Sequence, residues 1–413
     1  MLILVALWAV SIVCLAIALH PFVTYPLSLL AWRRFRKSSW PAPVFSAPSE
    51  PLTFAVFVCA YNEEKVIALT LQRLIDLRVK VPGLEIMVHI DACTDRTAEI
   101  ASQFASQINC LLIADKRRGK TEGMNLLVTE SRADIHVFTD ASVAIDADAF
   151  VYFQSHFRDP KIGAVCGKQV FTHADGSVNA ASNAMYWRLE EKIKQWESEI
   201  GSIMTLDGSL YALRNNLRCP PPPDIVDDFY IPFMVMHQGY RVVQSQQAKS
   251  SEPSVTDASE EFRRKSRIAC QGLNAHRVVW PVIKQMDFLT RYMYVSHKLI
   301  RWFTIYFLFL SVMAGFGALL VSGHYLVAAM AAGAMMATMF LGRVLKVKPF
   351  STLTNILSAF VGVGLGVWQS INGQRYKVWE PPASARQPSM TNIVSPSDSE
   401  LLSKLPSRSD ELS

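Results

Sequence analysis

Charged side chains are missing from long parts of this 413-residue chain. No Asp, Glu, Lys or Arg occurs in 1–32, 302–342 or 349–374, so each stretch can cross a hydrocarbon core about 30 Å thick. The second is long enough for two spans, with Ser322-Gly323-His324 as the most polar point and the expected turn. A composition that is 50% hydrophobic, with mean hydropathy +0.19, agrees with a membrane protein and not with a soluble one. The seven cysteines show no CxxC pair and no repeated spacing, which argues against a zinc module or a disulfide framework. The net charge is only +6, and the visible basic clusters at 33–37, 263–267 and 343–348 are attributed to membrane topology and phosphate chemistry, so nucleic acid is not an expected partner while membrane lipids are. Internal repeats are absent too.

What is present gives an order of segments. Residues 1–32 read as an uncleaved transmembrane anchor, because the start carries no basic residue and the positive charge follows at Arg33, Arg34, Arg36 and Lys37. That charge places 33 onward in the cytosol and the amino terminus outside. A Pro-rich cytosolic linker fills 33–50, and a soluble domain follows over 51–275. Residues 277–295 mix Trp280, Phe288 and Tyr292 with Lys284, Asp287 and Arg291, a pattern expected of a helix lying in the membrane interface. Two to three spans are expected over 302–374, then a disordered Ser- and Pro-rich tail at 380–413. The location implied is a multi-pass protein of the plasma (inner) membrane.

Inside the soluble domain, four short β-rich runs alternate with helical stretches: Thr53–Cys59, Glu85–Ile90, Cys110–Ile113 and Ile135–Thr139. Alternation of this kind predicts an α/β domain with a mostly parallel sheet covered on both faces. Ligands of such sheets sit beyond the carboxyl ends of the strands. After the first run stand Tyr61, Asn62, Glu63 and Glu64; after the second, Asp91; after the third, Lys116 to Lys120; after the fourth, Asp140. Each has an ordinary reading. Asn62 with two glutamates is a normal helix start, Asp140 can end a strand in a turn, and Arg118 and Lys120 can be solvated surface charge. Gly119-Lys120-Thr121 is not a phosphate loop, because Ala114 stands where that motif needs glycine. Arg118 and Lys120 remain candidates to clamp a diphosphate through charge-assisted hydrogen bonds.

Order along the chain says more than any one residue: acid, acid, basic loop, acid, then Asp227-Asp228 and Arg263-Arg264-Lys265-Ser266-Arg267. Here the chain resembles the inverting membrane glycosyltransferases that include cellulose, chitin, hyaluronan and poly-N-acetylglucosamine synthases. The resemblance runs from the anchor to the last apolar segment and implies a Rossmann-like, nucleotide-sugar-binding domain of the GT-A type. It implies a nucleotide pocket at Tyr61, Asn62, Glu63 and Asp91, with Asp91 facing uracil, and a diphosphate neighbour in Lys120. Phe138-Thr139-Asp140-Ala141-Ser142 matches the metal-binding Asp-x-Asp pattern with Ser142 in place of the second acid. Asp140 is then the ligand for Mg²⁺ or Mn²⁺, and a hydroxyl is the poorer partner for so hard a cation. Val226-Asp227-Asp228 matches the motif whose last residue is the catalytic base, which makes Asp228 the base. Leu206 to Arg214 matches the acceptor loop, with Gly208 and Asp227 on the acceptor side. Arg264 to Ile268 takes the place of Gln-x-x-Arg-Trp, keeping Arg267 for the donor; Arg264 stands at the first position, on the acceptor side, and Ile268 replaces the tryptophan.

The implied activity is inverting sugar transfer from a nucleotide sugar, a UDP-sugar above all, to a growing polysaccharide. A rival is a single transfer to a lipid or lipid-linked acceptor, because lipid-glucosylating relatives accept Arg at the first place of that motif. A third reading, a catalytically silent scaffold, rests on Ser142 and the altered arginine motif and is opposed by the intact Asp228.

Overall fold

A computed structural model describes residues 1–35, 52–172, 178–253 and 257–378. Most of the expected linker and the whole of the expected tail lie outside them. The chain begins with α1 (Leu2–Leu19) and α2 (Thr24–Phe35). The α/β domain follows as β1 (Phe54–Ala60), α3 (Ile67–Leu77), β2 (Glu85–Ile90), α4 (Thr97–Ser102), β3 (Cys110–Ile113), α5 (Lys120–Leu127), β4 (Ile135–Asp140), β5 (Ala144–Ile145), α6 (Ala149–Phe157), β6 (Ile162–Thr172), α7 (Val178–Ile200), β7 (Leu210–Arg214), α8 (Asp227–His237) and β8 (Arg241–Pro253). The remainder is helical: α9 (Ala258–Ile283), α10 (Phe288–Tyr294), α11 (Ile300–Val321), α12 (Tyr325–Arg343) and α13 (Phe350–Ile371).

The strands make one eight-stranded sheet in the order β3-β2-β1-β4-β7-β6-β8-β5. β1, β2, β3 and β4 run parallel, as do β6 and β8, while β7 lies antiparallel between β4 and β6. β1 reads Phe-Ala-Val-Phe-Val-Cys-Ala because a central strand is covered on both faces and has no solvent side for polar residues. Val56, Val58, Ile86 and Val88 pack on one face with Ile67, Leu71 and Leu74 of α3 and with Phe150 and Phe153 of α6. On the other face Phe57, Phe138 and Tyr211 form a stack, with ring centroids 5.2 and 4.7 Å apart. Met124 and Leu127 of α5 and Ile231 and Val235 of α8 cover it.

Four helices, Leu2–Leu19, Phe288–Val321, Tyr325–Arg343 and Phe350–Ile371, are long and apolar enough to cross a membrane. The break between α11 and α12 falls at Ser322, Gly323 and His324, where Gly323 takes φ +76°. One expectation is corrected. Residues 277–295 do not form a single interfacial helix: α9 ends at Ile283, and Asp287 starts a new helix by accepting the Thr290 backbone N–H at 3.0 Å and its hydroxyl at 2.7 Å. That new helix, α10, passes through a π-helical turn at Val295–Leu299 directly into α11.

The α/β domain and the apolar helices share a core. Tyr25 of α2, Phe229 and Phe233 of α8, Leu273 of α9, and Tyr294 and Trp302 pack as one buried cluster. Ion pairs reinforce it: His297, fully buried, contacts Glu197 at 2.7 Å through Nδ1 and Glu190 at 3.1 Å through Nε2, and Lys298 and Arg301 also reach Glu190. Small residues let α13 lie close against α9. A methyl group on Gly366 would collide with the Ser266 carbonyl oxygen, and one on Gly362 would stand 3.2 Å from the Phe262 ring. Gly366→Val should therefore destabilise the protein by roughly 1–3 kcal/mol, the usual scale for overpacking. Gly333→Val, which meets nothing within 4 Å, is the control. Thermal unfolding in detergent checks this, with a lowered midpoint expected for the first variant only.

Candidate active site

The carboxyl ends of β1, β2 and β4 line up at one edge, and the loops leaving them are zipped together. Asn62 takes φ +52°, a left-handed conformation that asparagine tolerates. Its side-chain oxygen accepts the Thr94 N–H at 2.9 Å, the Glu63 N–H reaches Thr97 Oγ1 at 2.7 Å, and the Glu64 N–H reaches Asp95 at 3.1 Å. Asn62 is thus a loop clasp and not a helix cap, since α3 starts only at Ile67. Glu63 is buried beneath this clasp.

Asp91, also buried, ends β2 and holds the basic loop by its backbone. The Arg118 N–H donates to Asp91 Oδ1 at 2.6 Å and the Gly119 N–H to Oδ2 at 2.8 Å. Gly119 adopts φ +88°, and a methyl group there would strike the Lys377 carbonyl, so the segment after α13 lies against this loop. The Arg118 guanidinium pairs with Glu122 at 2.8 Å along α5. Its neighbour Arg117 instead lies over the Tyr61 ring, 3.4 Å from the centroid. Arg117 was not singled out by sequence; a run of adjacent basic residues does not say which one turns inward.

Lys120, at the start of α5, reaches across to β4. Its ammonium donates to Asp140 Oδ1 at 2.5 Å and to the Gly208 carbonyl at 3.2 Å. Burial opposes that charge, but Asp140, Asp227 and Asp228 outweigh it and raise the Lys120 pKa. Asp227 and Asp228 open α8, held by the Tyr211 hydroxyl, which donates to Asp227 Oδ2 at 2.5 Å, and by the Thr121 hydroxyl, which donates to the Ile225 carbonyl at 3.0 Å. Positions at a helix amino terminus favour the charged form of a carboxylate. For Asp228 burial wins: with added repulsion from Asp227, Asp207 and Asp140, and against the pull of Lys120, its pKa is raised to about 7. A methyl group on Gly208 would stand 3.3 Å from Asp228 Oδ2, so only glycine keeps the space before this carboxylate open.

From α9, Arg267 faces the same acids. Burial and Arg264 lower its pKa to about 10, while Asp140 and Asp228 act in the opposite sense. Arg264 pairs with Glu261 one turn earlier, at 3.6 Å. Two groups that sequence did not single out complete the surroundings: Lys194, 3.2 Å from Asp207, and Glu252, which accepts from Ser142 at 3.3 Å. No spacing in the sequence announces them, because each comes from a different, distant element.

Oxygen ligands at the end of β4 suit a hard cation. Asp140, Ser142 and Glu252 offer only oxygen, and Lys120 already places a positive charge on Asp140. Among the described residues no three His, Cys, Asp or Glu side chains converge to hold a metal. Phosphate oxygens of a donor would have to complete the shell, as is usual for Mg²⁺.

A mixed, mostly parallel sheet with acids, lysine and arginine ranged along its carboxyl edge is a glycosyltransferase domain of the GT-A fold. The chain belongs to the glycosyltransferase-like family 2, which matches residues 51–271. It is similar to the poly-beta-1,6-N-acetyl-D-glucosamine synthase of Staphylococcus aureus, 25% identical over 199 residues, 47% of each chain. The enzyme of the same name from Staphylococcus epidermidis is 28% identical over 153 residues, 37% of each. The chain thus aligns with about half the length, or less, of these curated relatives. Among solved structures, the mannosyltransferase from Pyrobaculum calidifontis in complex with GDP-Man and Mn²⁺ covers 89% of this chain and 100% of its own, with TM-score 0.68. At 20% identity that likeness speaks for the fold.

The anchoring of the basic loop is directly testable. Asp91→Ala removes both acceptors of the loop N–H groups and should free Lys116, Arg117 and Arg118 to trypsin. Limited proteolysis of the purified protein should cut there at least about tenfold faster than in the parent, with the melting midpoint little changed. UDP affinity should fall in parallel.

Proposed function

We propose that this chain transfers a sugar with inversion from a nucleotide sugar, a UDP-sugar in the reading the sequence favours, to the growing end of a polysaccharide at the cytosolic face of the membrane. The observation that carries the reading is Asp228: a carboxylate poised near neutrality, facing the open space at Gly208 and flanked by Lys120 and Arg267. A general base works best with a pKa near the working pH.

In the proposed step, Asp228 takes the proton of the acceptor hydroxyl while the hydroxyl oxygen attacks the anomeric carbon from the face opposite the leaving group. The bond between that carbon and the diphosphate breaks, and its electron pair leaves with the nucleoside diphosphate. Lys120 and Arg267 stabilise the departing negative charge. A divalent cation bound at Asp140 would supply further charge neutralisation at the diphosphate. Gly208 and Asp227 border the acceptor, and Tyr61 with Arg117 offers a flat face beside the nucleotide pocket.

A second reading, one sugar added to a lipid or lipid-linked acceptor, is favoured by Ile268. It replaces an aromatic residue with an aliphatic one that is 50% exposed, leaving no ring there for a polymer to stack on. The masses of products formed from a panel including UDP- and GDP-sugars separate the two.

Asp228→Asn should lower kcat by about two to four powers of ten and leave nucleotide affinity nearly intact. The pH profile adds a sign. The base is active only when deprotonated, so the parent's rate should rise with pH through a midpoint near 7 and level off above it. Residual activity of the asparagine variant should lack that limb. A parental rate flat from pH 5 to 9 would remove Asp228 as the base.

A cytosolic placement is supported by the proposed donor, since nucleotide sugars are made there, and by Arg33 and Arg34 closing α2. In an otherwise cysteine-free chain, a single cysteine at the exposed Val79 should resist an impermeant reagent in intact cells and react once they are permeabilised.

A further inference from the structure

α13 has the length and apolarity of a membrane span, but its neighbours place it differently. It meets each of the other three long apolar helices near one end. Phe360 packs 5.3 Å from Phe22, just past the end of α1, and the Gly364 carbonyl accepts the Tyr306 hydroxyl at 2.8 Å in the second turn of α11. A methyl group on Gly342 would collide with the Phe350 carbonyl and the Thr354 side chain, and Arg343 donates to Ser358 Oγ at 3.4 Å. Two turns of α13 thus meet the single last turn of α12. A helix returning alongside α12 would meet a new turn of it at each of its own turns, so α13 runs across the tip of α12 instead. Its far end stays with the α/β domain. The Arg277 guanidinium donates to Ser370 Oγ at 2.7 Å, the Asn274 amide donates to the Gln374 carbonyl at 2.9 Å, and the Lys377 carbonyl lies against Gly119.

We propose that α13 does not span the bilayer but lies along the membrane face that carries the α/β domain, with the lipids of that leaflet as its partner. The chain then crosses the bilayer three times, by α1, α11 and α12. This rests on the membrane reading above and not on the chemistry assigned to Asp228. An upright helix of 22 residues is about 33 Å long and would carry Ile371 to the opposite surface. The bonds to Arg277 and Asn274 and the contact at Gly119 hold that end on the domain side. Burial around the helix agrees. Thr354, Gly362, Gly366 and Ser370 are buried, while Leu353, Val361, Leu365 and Trp368 form a stripe on the other face and are between 38% and 58% exposed. The stripe starts beside the last turn of α12, so the leaflet around α12 reaches it directly. The segment leading into it, Val344-Leu345-Lys346-Val347-Lys348, interleaves exposed apolar and basic side chains. Such a pattern suits an acyl boundary beneath anionic headgroups.

The test uses the full chain, free of its native cysteines, with one cysteine at a time placed by His324→Cys, Lys346→Cys or Asn372→Cys. All three positions are exposed. In intact cells an impermeant maleimide should label His324→Cys, at the turn between α11 and α12, and neither of the other two. Lys346→Cys and Asn372→Cys, on either side of α13, should react together once the cells are permeabilised. Labelling that puts these two on opposite sides of the membrane overturns the inference. Both reacting in intact cells while His324→Cys is protected supports it and overturns the cytosolic placement instead. Should Asn372→Cys fail to fold, a depth measurement decides alone, with nitroxides at Leu353→Cys, Val361→Cys and Trp368→Cys in vesicles of phosphatidylcholine and phosphatidylglycerol. Positions 353 and 368 are about 22 Å apart along the helix, a separation that a span would turn into depth. Depths read from oxygen and nickel-chelate relaxation should agree to within about 10 Å and lie near the headgroup boundary. A larger spread overturns the inference, and so do labels as open to the water-soluble chelate as one at the exposed Val79.

Discussion

Negative charge crowded at one edge of the sheet is the constraint to which its surroundings answer. Asp140, Asp207, Asp227 and Asp228 act on one another through partly buried surroundings, where two unit charges 4 Å apart interact by about 4 kcal/mol. Lys120 is drawn onto Asp140, Lys194 onto Asp207 and the Tyr211 hydroxyl onto Asp227. Lys194 arrives from α7 and Lys120 from α5, so both helices are tied to the site by charge as well as by packing. Asp228 is the group on which the remaining repulsion and the burial fall, and its raised pKa is the result. A structural arrangement that merely balanced charge would have no use for that imbalance. The proposed proton abstraction would.

The helices that carry the proposed base, Asp228, and Arg267 are also the ones fastened to the apolar helices. Directly after Asp228, Phe229 packs 5.6 Å from Trp302, and one turn later Phe233 meets Tyr294 edge to face at 5.3 Å. Arg267 lies on α9, whose neighbour Ser266 touches Gly366 of α13 and donates to Gln369 at 3.0 Å. A shift of either apolar helix would therefore move a functional side chain by a comparable distance. Catalytic geometry tolerates little displacement. The shared core of Tyr25, Phe229, Leu273 and Trp302 is too continuous for the two parts to be treated as a soluble domain with an unrelated anchor.

The first four strands were legible because each is a short apolar run bounded by turn residues, and Asp91 and Asp140 were legible because they stand where those runs stop. β6 and β8 were not. β8 reads Arg-Val-Val-Gln-Ser-Gln-Gln-Ala-Lys-Ser-Ser-Glu-Pro, a mostly polar segment held in the sheet by pairing with β6, and no local pattern encodes that partner. Glu252 was hidden for the same reason. Arg117 was overlooked because sequence orders the loop but not its turns: φ +88° at Gly119 and the grip of Asp91 on two N–H groups decide which basic side chain turns toward Tyr61. The break at Asp287 had a visible signal, an aspartate three residues before Thr290, but the amphipathic pattern running through it concealed the cap.

Lys120 ties two parts of the proposed site together: its ammonium donates to Asp140 and to the Gly208 carbonyl at once. A donor diphosphate arriving with a cation at Asp140 would remove the reason for that bridge, and the same ammonium would find its anion in a phosphate. The exchange keeps the count of charges nearly constant, so binding need not strip a buried lysine of its partner, a loss that is expensive in low dielectric. Gly208 would be released at the same moment. In the proposed reaction the loop in front of Asp228 would then be held by the acceptor instead of by the lysine.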